Sequence, residues 1–81
     1  MDPKACFLAY LNAPRDEAHL YYEDLCAWFQ RGGCGFGAVW VSPKGARKAC
    51  RVTRLTFTRD AHITFRNGRK RIVRESEIEV A

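Results

Sequence analysis

The chain has 81 residues, with 14 Lys and Arg against nine Asp and Glu, two His, four Cys and 47% hydrophobic residues. A chain of this length buries only about 60–65% of its unfolded surface, which allows one core and excludes a two-domain enzyme. Ten aromatics balance the 28% charged residues and argue against intrinsic disorder, and the longest nearly uncharged run, Gly32 to Pro43, falls short of a membrane span.

The first elements read as helical. Asp2-Pro3 places an N-cap before a proline at the first helical position, and Ala5, Leu8, Ala9 and Leu11 continue a short helix that Asn12 can close; strand is the alternative for Cys6 to Leu11. A second helix is predicted to open at Ala13-Pro14-Arg15-Asp16-Glu17, where proline presets the backbone and two acids sit near the positive end of the helix dipole. Ala18, Tyr21, Tyr22, Leu25, Trp28 and Phe29 then repeat at helical spacing until Arg31-Gly32-Gly33 ends the run. That aromatic stripe is expected to be core rather than a cofactor pocket.

The remaining residues read as strands. Phe36 to Val41 is one, Ser42-Pro43-Lys44-Gly45 a loop, and Cys50 to Thr58 a long second strand. In that strand Cys50 and Val52 share one face whereas Leu55 and Phe57 have the opposite parity, which predicts a bend or bulge near Thr53-Arg54. Arg59-Asp60 is read as a tight turn, and His62 to Phe65 as a strand with Ile63 and Phe65 inward. Asn67-Gly68 is the strongest hairpin signal and leads to a return strand, Lys70 to Arg74. Whether Ile72 or Val73 points inward depends on a two- or three-residue loop, since a one-residue slip flips every side chain. Glu75-Ser76-Glu77 is a single turn before a last strand, Ile78-Glu79-Val80.

The charge is divided along the chain. Residues 1–35 carry three cations and five acids, a net −2, whereas residues 36–81 carry eleven cations and four acids, a net +7. Between Lys44 and Arg74 Asp60 is the single acid against eleven cations, so this stretch alone is +10. The expected architecture is one α+β domain over 1–81: a helical segment of one or two helices in 1–33, then a four- or five-stranded antiparallel barrel or curled sheet in 36–81.

The strand run Gly37-Ala38-Val39-Trp40-Val41, Cys50-Arg51-Val52-Thr53-Arg54-Leu55, Ile63-Thr64-Phe65-Arg66-Asn67-Gly68 and Ile72-Val73-Arg74-Glu75-Ser76-Glu77-Ile78 resembles SH3-like small barrels of the Tudor type. The resemblance covers about 45 of the 81 residues and leaves the helical part outside it. Such barrels bind peptides, methylated side chains, RNA or DNA, so the resemblance implies a binding module without choosing its ligand.

Several chemistries fail on spacing. The chain has no C-x-x-C or H-x-x-x-H pair, and its cysteines lie twenty, eight and sixteen positions apart, unlike a zinc framework. No cofactor is expected. Cys6, Cys26 and Cys50 lie among apolar residues and are read as free thiols that pack as small hydrophobes; Cys34, between glycines, is expected to be exposed. The Gly32–Gly37 segment follows a helix instead of preceding one and lacks the lysine-serine ending of a phosphate loop. His19 is read as a polar-face residue and His62 as a strand-edge residue. A ribonuclease-like pairing of His62 with Arg66 or Arg71 is the one catalytic arrangement to weigh, against the plainer reading of a solvated histidine. An enzyme is not expected.

Nucleic-acid binding has the strongest physical case, because clustered Lys and Arg gain free energy on phosphates through counterion release. The expected contacts are Lys44, Arg47 and Lys48 in a loop, Arg51 and Arg54 on the long strand, and Arg66, Arg69, Lys70, Arg71 and Arg74 in and after the hairpin, together making one positive barrel wall. Trp40, Phe57 and Phe65 are interleaved with them and read mainly as core. The competing class is an interaction or inhibitor module of the phage or mobile-element kind that docks an acidic protein surface, including an aromatic cage from Trp40 and Phe57. A cytoplasmic protein without a membrane partner is expected, and an exposed sheet edge would suit a homodimer.

Overall fold

The computed structural model describes residues 1–80. Its elements are α1 (Pro3–Asn12), α2 (Ala18–Gln30), β1 (Phe36–Val41), β2 (Arg47–Leu55), β3 (Asp60–Phe65), β4 (Lys70–Arg74), a 3-10 turn (Glu75–Glu77) and β5 (Ile78–Glu79). The five strands form one antiparallel sheet in the order β4-β3-β2-β1-β5, which is an α+β architecture with the helices preceding the sheet. No helix among the described residues is long and apolar enough to cross a membrane.

Asp2 caps α1 by accepting a bond from Lys4 N at 3.0 Å, with Pro3 in the first turn. α1 buries one face. Phe7 and Tyr10 are its buried residues, while Ala5 and Leu8 are exposed. The large rings win the inward positions because each removes far more apolar surface from water than an alanine does. The second helix starts at Ala18, later than the Pro14-Arg15-Asp16-Glu17 signal, because Pro14 O accepts from both Glu17 N and Ala18 N and spends these residues on a turn. At its other end Gly32 N bonds Phe29 O at 3.2 Å and Gly33 N bonds Trp28 O at 3.1 Å, the Schellman pair that satisfies the last carbonyls.

The cross-strand register sorts the sheet into two faces. Phe36, Ala38 and Trp40 of β1 align with Lys48, Cys50 and Val52 of β2, these with Phe65 and Ile63 of β3, and β3 with Arg71 and Val73 of β4. The helices cover the part of this inner face built from Phe36, Val52 and Ile63. Phe7 and Phe29 stand 5.3 and 6.4 Å from Phe36 by ring centroid. Phe7, Leu25, Val52 and Ile63 are the fully buried large side chains, each contributing roughly 1.5–3 kcal/mol of transfer free energy.

The second strand runs three residues earlier than expected, so Arg47 and Lys48 belong to β2 and not to the loop. Ser42 explains the early return. Its N donates to Ala46 O at 2.8 Å and its Oγ accepts from Ala46 N at 3.1 Å, closing a short connection with Lys44 at its tip. The expected bulge is present as a register shift between Val52 and Arg54. It returns Leu55 to the buried side, and the chain turns over Thr56–Arg59, so Asp60 already belongs to β3 and Phe57 is 84% exposed at the turn instead of core.

The β3–β4 loop has three residues, Arg66-Asn67-Gly68. Gly68 N bonds Phe65 O at 2.9 Å, Phe65 N bonds Arg69 O at 2.8 Å, and Gly68 takes the left-handed φ of +86° that this turn requires. Val73 therefore points inward and is 6% exposed, whereas Ile72 is 62% exposed. β3 is flanked by β2 and β4, so His62 lies inside the sheet rather than at its edge.

The sheet is not closed. β4 and β5 are its two edges, and two-residue β5 offers too few backbone groups to zip to β4. The curl is nevertheless strong. Arg71 of β4 reaches across the concave side to place its guanidinium 4.7 Å from the centre of the Trp40 ring on β1, although β3 and β2 lie between those strands in the sheet.

Candidate nucleic-acid interface

The two-face register divides the basic stretch. Arg51, Lys70 and Arg74 alternate onto the outer face with His62, Thr64 and Ile72, while Lys48 and Arg71 alternate onto the inner face with Trp40 and Phe65. A single positive wall is therefore not formed, because a side-chain period of two sends neighbouring cations to opposite sides. Several outer cations are held internally. Arg47 pairs with Glu79 at 2.6 Å, Arg74 with Asp60 at 3.3 Å, and Arg51 Nε donates to Cys34 O at 3.0 Å. Arg54 sits past the bulge beside Tyr22 and Cys26 of α2, at the opposite end of β2 from Lys48, and Lys44 stands exposed on the β1–β2 loop.

The remaining cations converge. Lys48, Arg66, Arg69 and Arg71 line one cleft of about 490 Å³ with Trp40, Ala49, Phe65 and Asn67, and Lys70, although its register position is on the outer face, lines it as well. The β3–β4 hairpin supplies one wall, and the neighbouring ends of β1 and β2 supply the other. The Trp40 and Phe65 rings lie 5.7 Å apart at 55°, and the Lys48 ammonium is 5.8 Å from the centre of Phe65. Trp40 is 5% exposed, so most of its surface is taken by its neighbours, whereas Phe65 is half-buried. Trp40 Nε1 donates to Glu77 Oε2 at 3.2 Å, which fixes the indole from the 3-10 turn.

That turn is itself anchored. Glu75 is 2% exposed; its Oε2 accepts from Tyr10 Oη at 2.6 Å, and its Oε1 lies 3.0 Å from Arg59 Nε as an ion pair without a well-aligned hydrogen bond. Arg59 also lies 4.8 Å over the Tyr10 ring, and Glu75 N bonds Arg59 O at 3.1 Å. Burial outweighs the Tyr10 hydrogen bond and the Arg59 charge, so the Glu75 carboxyl titrates above the usual carboxylate range. Burial, then the hydrogen bond to Glu75, push the Tyr10 hydroxyl well up, which keeps it a donor at physiological pH. This network ties α1 to the segment that carries Glu77, and through Glu77 to Trp40.

The other residues that the sequence singles out are dispersed. His62 faces outward across from Arg54 and Ile72, and Arg71 faces inward, so these two do not converge on one phosphate. Arg66 is four residues from His62, about 13 Å along an extended strand. Phe57 is exposed on the turn after β2 whereas Trp40 is buried in β1, and the ring that Trp40 meets is Phe65, so Phe57 and Trp40 make no cage. Cys34 is exposed, Cys6 and Cys26 are half-buried and Cys50 is buried, all as free thiols. Sequence reasoning missed the roles of Glu75, Tyr10, Arg59 and Glu77. Tyr10 and Glu75 are 65 positions apart, and no local pattern announces such a pair.

The class that this geometry defines is a small α+β domain with two helices packed on an open, curled, five-stranded antiparallel sheet. Compared with known proteins, the chain matches no family model, and no curated protein or solved structure aligns with it significantly.

Proposed function

We propose that this protein binds nucleic acid, without catalysing a reaction on it, by setting phosphates against the cleft cations Lys48, Arg66, Arg69, Lys70 and Arg71, with Lys44 on the adjoining loop. One observation carries the reading: among the described residues none of those five cleft cations forms an ion pair, although Arg47, Arg59 and Arg74 nearby do. Five unneutralised cations around one recess repel one another, and a polyanion relieves that repulsion while releasing its own counterions. The SH3-like resemblance supports a binding role. The bent second strand, the hairpin, the 3-10 turn and the short last strand follow the order that it implies, on a sheet that stays open.

A fluorescence anisotropy titration with labelled DNA and RNA at two salt concentrations tests the reading. With three to five phosphates engaged, affinity should fall about 20- to 130-fold between 50 and 200 mM salt on a single strand and about 40- to 500-fold on duplex DNA. Absence of binding at low salt refutes it. An acidic protein surface would be drawn to the same cations, and a captured partner that survives nuclease treatment would favour that alternative.

A further inference from the structure

We infer that the cleft takes an unpaired nucleotide of single-stranded RNA or DNA, its base lying on Phe65 and on the Arg71 guanidinium while Lys48, Arg69 and Lys70 hold the flanking phosphates. The inference rests on the nucleic-acid reading above and asks which form of nucleic acid the cleft accepts.

Shape gives the first argument. At about 490 Å³ the recess falls in the size range of small-ligand sites, large enough for one nucleotide and its sugar but closed to a double helix. A duplex could touch only the rim, with phosphates; its bases are stacked on both sides and offer no free face. Aromatic and guanidinium planes set inside a recess have use only for a base that has left its stack.

The second argument concerns which planes are available. Trp40 is too buried to receive a base directly, and the 55° angle between Trp40 and Phe65 rules out a parallel slot between them. The indole acts instead as a positioning residue. Held by Glu77, it carries the Arg71 guanidinium 4.7 Å above its ring and so fixes the orientation of a cationic plane. Phe65, half-buried beside it, supplies the neutral plane. Lys48 is near the limit of cation–π distance from Phe65 and can swing to a phosphate when a base displaces it. Asn67 is already committed, since its Oδ1 accepts from Arg69 N at 3.0 Å and stiffens the hairpin that presents Arg69 and Lys70.

The test uses the full chain against labelled oligo-U, oligo-dT and a mixed-sequence duplex, compared at matched salt and repeated over a series of salt concentrations. Single strands should bind at least about tenfold tighter than the duplex, and Phe65→Leu should lower single-strand affinity by about five- to 100-fold while leaving duplex affinity unchanged. Arg71→Lys keeps the charge but removes the plane, so it should weaken single-strand binding without changing the salt slope. Arg69→Gln should reduce that slope on single strands by about 0.7. In a Trp28→Phe background, where Trp40 is the remaining tryptophan, single strands should change its emission and the duplex should not. Circular dichroism melts check that each variant is folded. Either oligo-U or oligo-dT preference supports the inference and names the sugar. Equal binding of duplex and single strands, with Phe65→Leu and Arg71→Lys silent, overturns it while the nucleic-acid reading stands. Failure of all three probes to bind at low salt removes both.

Discussion

Replacing Tyr10 with Phe removes one oxygen from the interior and leaves the ring, its contact with Phe7 and its place under Arg59. The lost oxygen donates to a carboxylate that is 2% exposed, at 2.6 Å. A hydrogen bond to a charged group is worth about 1.5–3 kcal/mol, and here its removal also strands a buried acceptor, so the upper half of that range applies. Unfolding entropy near 2.1 cal/mol/K per residue gives an 81-residue chain about 0.17 kcal/mol/K, which converts the loss into a fall in Tm of about 13–18 °C. Thermal and urea unfolding followed by circular dichroism read it directly. The double variant Tyr10→Phe, Glu75→Gln should cost less than the sum of the singles by at least about 1 kcal/mol, because both remove the same bond. A fall in Tm below about 3 °C, or strict additivity, would refute the claim that this contact anchors the 3-10 turn to α1.

Three further outcomes follow from the packing. Val73→Ala should cost about 1.5–2.5 kcal/mol in urea unfolding while Ile72→Ala stays within about 0.5, and the reverse order would disprove the three-residue hairpin loop. Gly35→Ala places a Cβ 2.5 Å from Val52 O at a φ of +95°, so it should destabilise by at least about 2 kcal/mol; a neutral result would discredit the close approach of that connector to β2. Because the folded state raises the Glu75 pKa, it binds that proton more tightly than the unfolded chain does, so the associated stability is complete below the unfolded value and is lost as pH rises through the folded one. The stability of the native protein relative to Glu75→Gln should therefore be greater near pH 4 than near pH 7, and a gap that widens with rising pH would contradict the sign.

Elements that depend on local chemistry were legible in the sequence. Asp2-Pro3, Gly32-Gly33 and Asn67-Gly68 each specify a backbone conformation within a few residues, and α1, the end of α2 and the β3–β4 hairpin stand where those signals place them. The parity change that predicts a bulge is local in the same sense. The start of β2 was not legible, because a side-chain bond from Ser42 closes the preceding loop early and moves Arg47 and Lys48 onto the strand. The distribution of charge was legible as a sum and illegible as a surface. Alternation places Arg71 and Ile72 on opposite faces, but which face is which depends on a loop length that Asn-Gly leaves open. Convergence of Arg71 on Trp40 needs the curl of a whole sheet, and the burial of Glu75 needs a helix 65 positions away.

The three residues between Phe65 and Arg69 set the handedness of the charge as well as the register. Losing one of them would rotate β4 by half a pleat, turning Ile72 toward the core and withdrawing Arg71 from the indole, while Lys70 and Arg74 would swing inward. A deletion in this exposed turn would thus replace the cation stacked on the indole with an apolar side chain and move the positive charge to the two ends of β4, with no change in any strand residue. Among descendants of this sequence, ligand preference could be rewritten by counting loop residues, faster than by replacing arginines one at a time.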